Sequence, residues 1–120
     1  MGLRVLVVED EGLIAMLLED MLIELGHDMV ASAANIEDAR AHAASRTIDL
    51  AILDVNLGRQ SSRPLASDFR ARGIPYILAT GYNRSGLDKE WGDGVVLEKP
   101  FHVKALSAAI EESLARSALA

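Results

Sequence analysis

Hydrophobic spacing switches period again and again along this chain, and few folds satisfy such a pattern. Short apolar runs, "LRVLVV" (3–8), "IDLAIL" (48–53), "PYILA" (75–79) and "VVL" (95–97), have the length and branched aliphatic content of strands buried on both faces. "DMVAS" (28–32) is a weaker fifth. Helical spacing fills the gaps. Residues 11–25 carry Leu13, Ile14, Leu17, Leu18, Met21, Leu22 and Leu25, a broad stripe along one side of a helix, and Gly26 supplies a stop. "NIEDARAHAAS" (35–45) opens with an Asn cap, and "RPLASDFRARG" (63–73) has Pro64 near its start and Gly73 just past its end. A last helix, from about 102 to 117, turns Val103, Leu106, Ile110 and Leu114 inward.

Strand and helix thus alternate five times with short connections. Such alternation predicts an α/β domain, a parallel sheet covered by helices on both faces. With 120 residues, half of them hydrophobic, the chain reads as one domain spanning 1–120 around one core. A net charge of −6 argues against a nucleic-acid surface, which needs clustered Lys and Arg. Without cysteine there is no disulfide framework, thiol nucleophile or thiolate metal site. No apolar run approaches the roughly 20 residues that span a bilayer. The opening "MGLRVLVVEDE" turns acidic too early for a signal peptide, so the expectation is a soluble, cytoplasmic domain without membrane contact.

In open parallel sheets, ligands sit outside the carboxyl ends of the strands. Glu9, Asp10 and Glu11 follow the first strand, Asp54 ends the third, Thr80 follows the fourth in "ILATGY", and Lys99 follows the fifth in "LEKPF". Carboxylates from two strands, a hydroxyl from a third and an ammonium from a fourth therefore meet at one edge. Glu9, Asp10 and Asp54 repel one another unless a cation intervenes, and oxygen-only ligands with open positions suit Mg²⁺. Beside such an ion Asp54 can attack phosphorus and form an aspartyl-phosphate. The three phosphoryl oxygens then need partners: Mg²⁺, Lys99, and the Thr80 hydroxyl with nearby backbone N–H groups.

These segments, "VVEDE", "ILDVNLG", "ATGY" and "EKP", resemble in order and spacing the motifs of receiver domains of two-component response regulators. The resemblance covers the whole chain. It implies a flavodoxin-like (βα)5 sandwich with a five-stranded parallel sheet in the order 2-1-3-4-5. It implies Asp54 as phosphoacceptor, Asp10 as direct metal ligand, Glu9 as a supporting ligand through water, and the backbone carbonyl of Asn56 as a further one. Thr80 and Lys99 would bind the phosphoryl group, with the Lys99–Pro100 bond cis. The implied partners are a histidine kinase or histidine phosphotransferase and a downstream protein; the role is a signalling switch rather than a dedicated enzyme. Within the family, "LATGY" is similar to a mostly single-domain branch marked by Phe-Ala-Thr-Gly and a nearby Tyr, with Leu78 in place of the Phe.

One departure matters. Most receivers carry Tyr or Phe three residues before the lysine, where this chain has Val96, so coupling from Thr80 to an aromatic there cannot operate. Tyr82, two residues past Thr80, is a candidate for part of the missing switch or for shielding the acyl phosphate. The segment 83–94, "NRSGLDKEWGDG", carries three glycines where a fourth helix belongs, and Gly costs about 1 kcal/mol per interior helix position. One or two turns of helix are expected there, with mobile flanks, and Trp91 anchored in the core.

Other residues have plainer readings. His27, His42 and His102 lack metal-ligand spacing and read as surface or rim. Arg59, Arg63, Arg70 and Arg72 read as a solvated basic face around the third helix, with pairing to a partner's carboxylates the alternative. On the first helix Met16 and Ile23 project away from the buried stripe, and the resemblance assigns them to a docking patch for the donor's helical bundle. Moderate apolar content on the last helix favours a monomer over a dimer through that helix and its neighbouring strand. The expectation is a single domain with no effector after residue 117, its output running through protein contacts or by draining phosphate from another regulator. A module cut from a larger hybrid kinase or regulator is the alternative, although the "MGLRV" start favours a natural N-terminus. The rival from another class is a small Mg²⁺-dependent phosphohydrolase using an Asp-x-Asp pair, but Asn56 cannot donate the proton its second Asp supplies. A flavin-binding module of the same topology fits less well, because "EDEGL" lacks the Ser, Thr and Gly donors of a phosphate loop.

Overall fold

The computed structural model describes residues 2–81 and 87–119, with side chains up to residue 117. Along the chain run β1 (Arg4–Val8), α1 (Gly12–Glu24), β2 (Asp28–Ala33), α2 (Ile36–Ser45), β3 (Leu50–Asp54), β4 (Asn56–Leu57), β5 (Gln60–Ser61), α3 (Arg63–Ala71), β6 (Tyr76–Thr80), β7 (Val95–Glu98) and α4 (Val103–Leu119). Five strands form one parallel sheet in the order β2-β1-β3-β6-β7. Since β6 and β7 are the fourth and fifth strands expected from sequence, this is the 2-1-3-4-5 order of a flavodoxin-like sandwich.

Period-two alternation divides the core between the two faces of the sheet. In β1, Leu6 and Val8 join Leu53, Leu65, Phe69, Leu78 and Trp91 beneath α2 and α3. Val5 and Val7 join Leu18, Leu22, Ile52, Ile77, Leu106 and Ile110 beneath α1 and α4. The register sets Val8 beside Leu53, Asp54 beside Ala79 and Thr80 beside Glu98, so the carboxyl ends of four strands finish along one edge.

Local signals explain the boundaries. The Asn35 side chain accepts the Asp38 N–H at 2.8 Å and starts α2. Pro64 occupies the first turn of α3, and Gly26 and Gly73 follow α1 and α3 at positive φ, where a side chain is strained. The inward stripe of α1 is narrower than its apolar spacing suggests. Ala15, Leu18 and Leu22 are buried and Ile14, Met21 and Leu25 half-buried, but Leu13 and Leu17 are exposed. Both lie about 100° or more round the helix from Leu18, outside the arc that a sheet can cover. In α4, Leu106 and Ile110 point inward as expected and Val103 is half-buried. Leu114 stands 38% exposed, because Ser113 and Ala109 take the buried positions beside it.

Two features lie after β3 and β6. A hairpin of β4 and β5, unanticipated from the sequence, pairs Asn56 with Ser61 and Leu57 with Gln60 around a two-residue turn. Gly58 has φ of 60°, the conformation such a turn requires. Before β7, where a fourth helix belongs, the described residues contain a single 3-10 turn, Lys89–Trp91. Asp88 caps it by accepting the Glu90 N–H at 3.0 Å. Trp91 is only 5% exposed and its carbonyl accepts the Tyr76 hydroxyl at 2.7 Å, so it anchors this connection in the core.

Candidate functional site

The site begins with where the strands stop. Glu9 directly follows β1; its N–H donates to the Ala33 carbonyl at 2.9 Å, which prolongs the sheet and holds its carboxylate inward, 4% exposed. Asp54 is the last residue of β3, and the Val55 N–H continues the ladder to Ala79 at 3.0 Å. Asp10 is exposed. Ligand oxygens of Glu9, Asp10 and Asp54 all lie within 4.8 Å of one another. Into this cluster reaches Lys99, whose Nζ is 3.2 Å from Glu9 Oε1 and 3.2 Å from Asp54 Oδ2. The Lys99–Pro100 peptide bond is cis, and the Lys99 N–H donates to the Thr80 carbonyl at 2.8 Å. Thr80 ends β6, buried on the same edge.

Electrostatics follow from this crowding. Burial, and then the neighbouring Asp54, push the Glu9 carboxyl up to about 7, against the Glu11 N–H and Lys99, which pull the other way. For Lys99 burial disfavours the charged form, yet attraction to Asp54 and then Glu9 outweighs it and raises its pKa. One ammonium thus balances three carboxylates incompletely. The donor set fits a hard divalent cation: oxygen ligands alone, one buried, one exposed toward solvent, close enough to share an ion. Among the described residues this is the only such cluster, and no histidine joins it.

The structure also reveals supports that the motifs did not announce. A Cβ on Gly58 would lie 3.6 Å from Asp10 Oδ2, so the tip of the β4–β5 hairpin rests against the acidic cluster. Ser62 is fully buried, and both its N–H (3.1 Å) and its hydroxyl (3.3 Å) donate to the Val55 carbonyl. Its hydroxyl therefore pins the residue after Asp54 instead of capping α3. A serine between a glycine turn and Arg63-Pro64 was the available signal, but it reads equally well as an ordinary helix cap.

The remaining candidates fall elsewhere. Asn56 opens β4 with its side chain exposed. Val96 is half-buried against the cluster containing Leu78 and Trp91. Tyr82 lies outside the described residues. Met16 and Ile23 are 63% and 62% exposed on α1, on the outer side with Leu13 and Leu17. Of the four arginines read as a solvated face, Arg59, Arg70 and Arg72 are exposed, with Arg72 donating to the Ala43 carbonyl at 3.2 Å. Arg63 departs from that reading: it is half-buried and bonded within the chain. His27 Nδ1 accepts the Leu3 N–H at 3.1 Å, an ordinary structural contact.

A parallel sheet with this acidic edge and its facing lysine defines a class, and comparison with known proteins agrees. Residues 5–111 match the response regulator receiver domain, and the chain belongs to that family. It is 34% identical over 117 residues to the transcriptional regulatory protein PdtaR of Mycobacterium tuberculosis, an alignment covering 94% of this chain and 57% of that protein. It is 30% identical to the phyllosphere-induced regulator PhyR of Methylorubrum extorquens, over 95% of this chain and 44% of PhyR. The chain thus spans about half the length of the curated relatives it matches. Among solved structures, SdrG from Sphingomonas melonis Fr1 is 40% identical with a TM-score of 0.82, covering 94% of this chain and 97% of SdrG. The anti-anti-sigma factor PhyR from Bartonella quintana is 28% identical with a TM-score of 0.85, over 95% of this chain and 48% of PhyR.

Proposed function

We propose that Asp54 accepts a phosphoryl group from a phosphohistidine of a histidine kinase or phosphotransferase, and that the phosphorylated chain signals through protein contacts or serves as a phosphate sink. The observation that carries this reading is the Lys99 ammonium 3.2 Å from both Glu9 and Asp54 at the tips of three strands. An Asp54 oxygen attacks phosphorus, the P–N bond breaks, and the imidazole leaves with its electron pair. Lys99 is placed to neutralise one phosphoryl oxygen, and the Thr80 hydroxyl is on the edge where another would lie. Glu9, Asp10, Asp54 and the Asn56 carbonyl are the residues that would hold Mg²⁺, which when bound supplies positive charge to the transferring group.

Docking of the donor falls to the outer side of α1, where Met16 and Ile23 are joined by Leu13 and Leu17, four exposed apolar side chains on one helix. One similar structure is that of an anti-anti-sigma factor, which supports output by contact with other proteins. The relatives' greater length supports equally a receiver module acting within a longer chain. The phosphohydrolase reading loses ground, since Asn56 supplies no acid and its side chain is exposed.

The test is a phosphotransfer profile against purified histidine kinases and phosphotransferases of the source organism. One or few donors are expected to label the chain rapidly with Mg²⁺, and Asp54→Asn none. Labelling of Asp54→Asn equal to the wild type removes the proposal.

A further inference from the structure

Val96 stands three residues before Lys99, where most receivers carry an aromatic, yet one described path runs from Asp54 to the connection before β7. Asp54 is followed by Val55, whose carbonyl accepts both bonds from Ser62. Between them the β4–β5 hairpin brings its Gly58 turn near Asp10, whose Oδ2 a Cβ added at Gly58 would approach to 3.6 Å. The Ser61 hydroxyl accepts the Arg63 N–H at 3.2 Å. From there the Arg63 side chain leaves α3 and crosses to the strap 87–94. Its guanidinium pairs with Asp88 at 3.3 Å and with Glu90, and lies 5.9 Å from the centre of the Trp91 ring. The last residue of the hairpin, Ser61, is thus bonded directly to the base of this side chain.

We propose that Arg63 is a latch, closed on Asp88, Glu90 and Trp91 when Asp54 is unmodified and released when it is phosphorylated. This rests on the phosphoacceptor reading of Asp54. The contacts have the strength a releasable latch needs. Both ion pairs are exposed to solvent, and the ring contact adds little more, so together they bias closed over open by only about tenfold. The closed form also carries a fault, because Arg63 Nε is buried with no hydrogen-bond partner among the described residues. Two carboxylates hold a guanidinium that is imperfectly satisfied, and a small push from the hairpin can tip the balance.

Trp91 is the sole tryptophan, so its emission reports on the strap alone. Acrylamide quenching is measured on the wild type, Arg63→Ala and the double variant D88N/E90Q. Each is measured before and after titration with beryllofluoride and Mg²⁺, and again after acetyl phosphate with intact mass as the count of phosphoryl groups. The wild type is expected to show a several-fold rise in quenching on modification. Unmodified Arg63→Ala should already quench like the modified wild type, gain nothing further, and bind beryllofluoride up to about tenfold more tightly by linkage. The double variant keeps Arg63 and its packing and should move the same way, which covers the case in which Arg63→Ala fails to fold. If both folded variants quench like the unmodified wild type and rise as it does, the latch is overturned while Asp54 chemistry stands. If no protein gains mass or binds beryllofluoride, both readings fall together.

Discussion

The acidic edge and the strap before β7 are neighbours built on opposite terms. At the edge, Glu9 and Asp54 are buried at strand tips, and their positions are set by sheet hydrogen bonds and by Val8 and Leu53 beneath them. The strap has one 3-10 turn; Trp91 and the half-buried Leu87 anchor it to the core, Arg116 donates to the Asp93 carbonyl, and Asp88 and Glu90 are held by solvent-exposed ion pairs to Arg63. Chemistry needs groups fixed to within a fraction of an ångström. Switching needs two arrangements of similar free energy. The molecule separates the two needs in space and joins them through one short hairpin.

Breaking the edge should cost most. Lys99→Met is expected to slow phosphotransfer at least about 100-fold, the scale for removing a charged donor to a transferring group, with little change in donor affinity. A rate within tenfold of the wild type would mean that the ammonium is structural only.

Stability of the metal-free protein sharpens the same contrast. Glu9 has its carboxyl pKa raised from 4.5 to about 7 in the folded chain, so the folded state holds a proton that the unfolded state has already released. Stability contributed by this group is full below pH 4.5 and falls as pH rises through about 7. The loss reaches at most about 3 kcal/mol. Urea unfolding without Mg²⁺ should show this decline, and Glu9→Gln should flatten most of it. The strap offers no counterpart, since none of its acids is buried.

A smaller effect is expected on the outer side of α1. Met16→Asp with Ile23→Asp should reduce transfer from the cognate donor about tenfold or more, the range for truncating interface anchors, while labelling by acetyl phosphate and the melting temperature hold. Equal loss with both donors would place the damage in the fold. The smallest change belongs to the strap: Glu90→Gln should cost under about 1 kcal/mol in urea unfolding, as exposed ion pairs do.

Sheet, helix order and the four strand tips were legible in the sequence because buried parallel strands declare themselves as unbroken apolar runs. A charged residue that ends such a run has few other reasons to be there. The width of the buried face of α1 was not legible, since Leu13 and Leu17 are as apolar as Leu18, and only the sheet beneath decides which are covered. Leu114 misled in the same way. The β4–β5 hairpin escaped notice because its strands are two residues long, too short for any period to show. Arg63 read as one solvated arginine among four, since nothing local announces that its partners lie about 25 residues further on. Trp91 was readable, because a lone tryptophan in a glycine-rich connection has little else to do than anchor it.

The central claim is tested most directly by intact and peptide mass analysis of the chain after incubation with a phosphorylated donor, with Mg²⁺ and with EDTA. One phosphoryl group on the peptide containing Asp54, present with Mg²⁺ and absent with EDTA, is the predicted result. A phosphoryl group on another residue, or one acquired equally well without divalent metal, would contradict it.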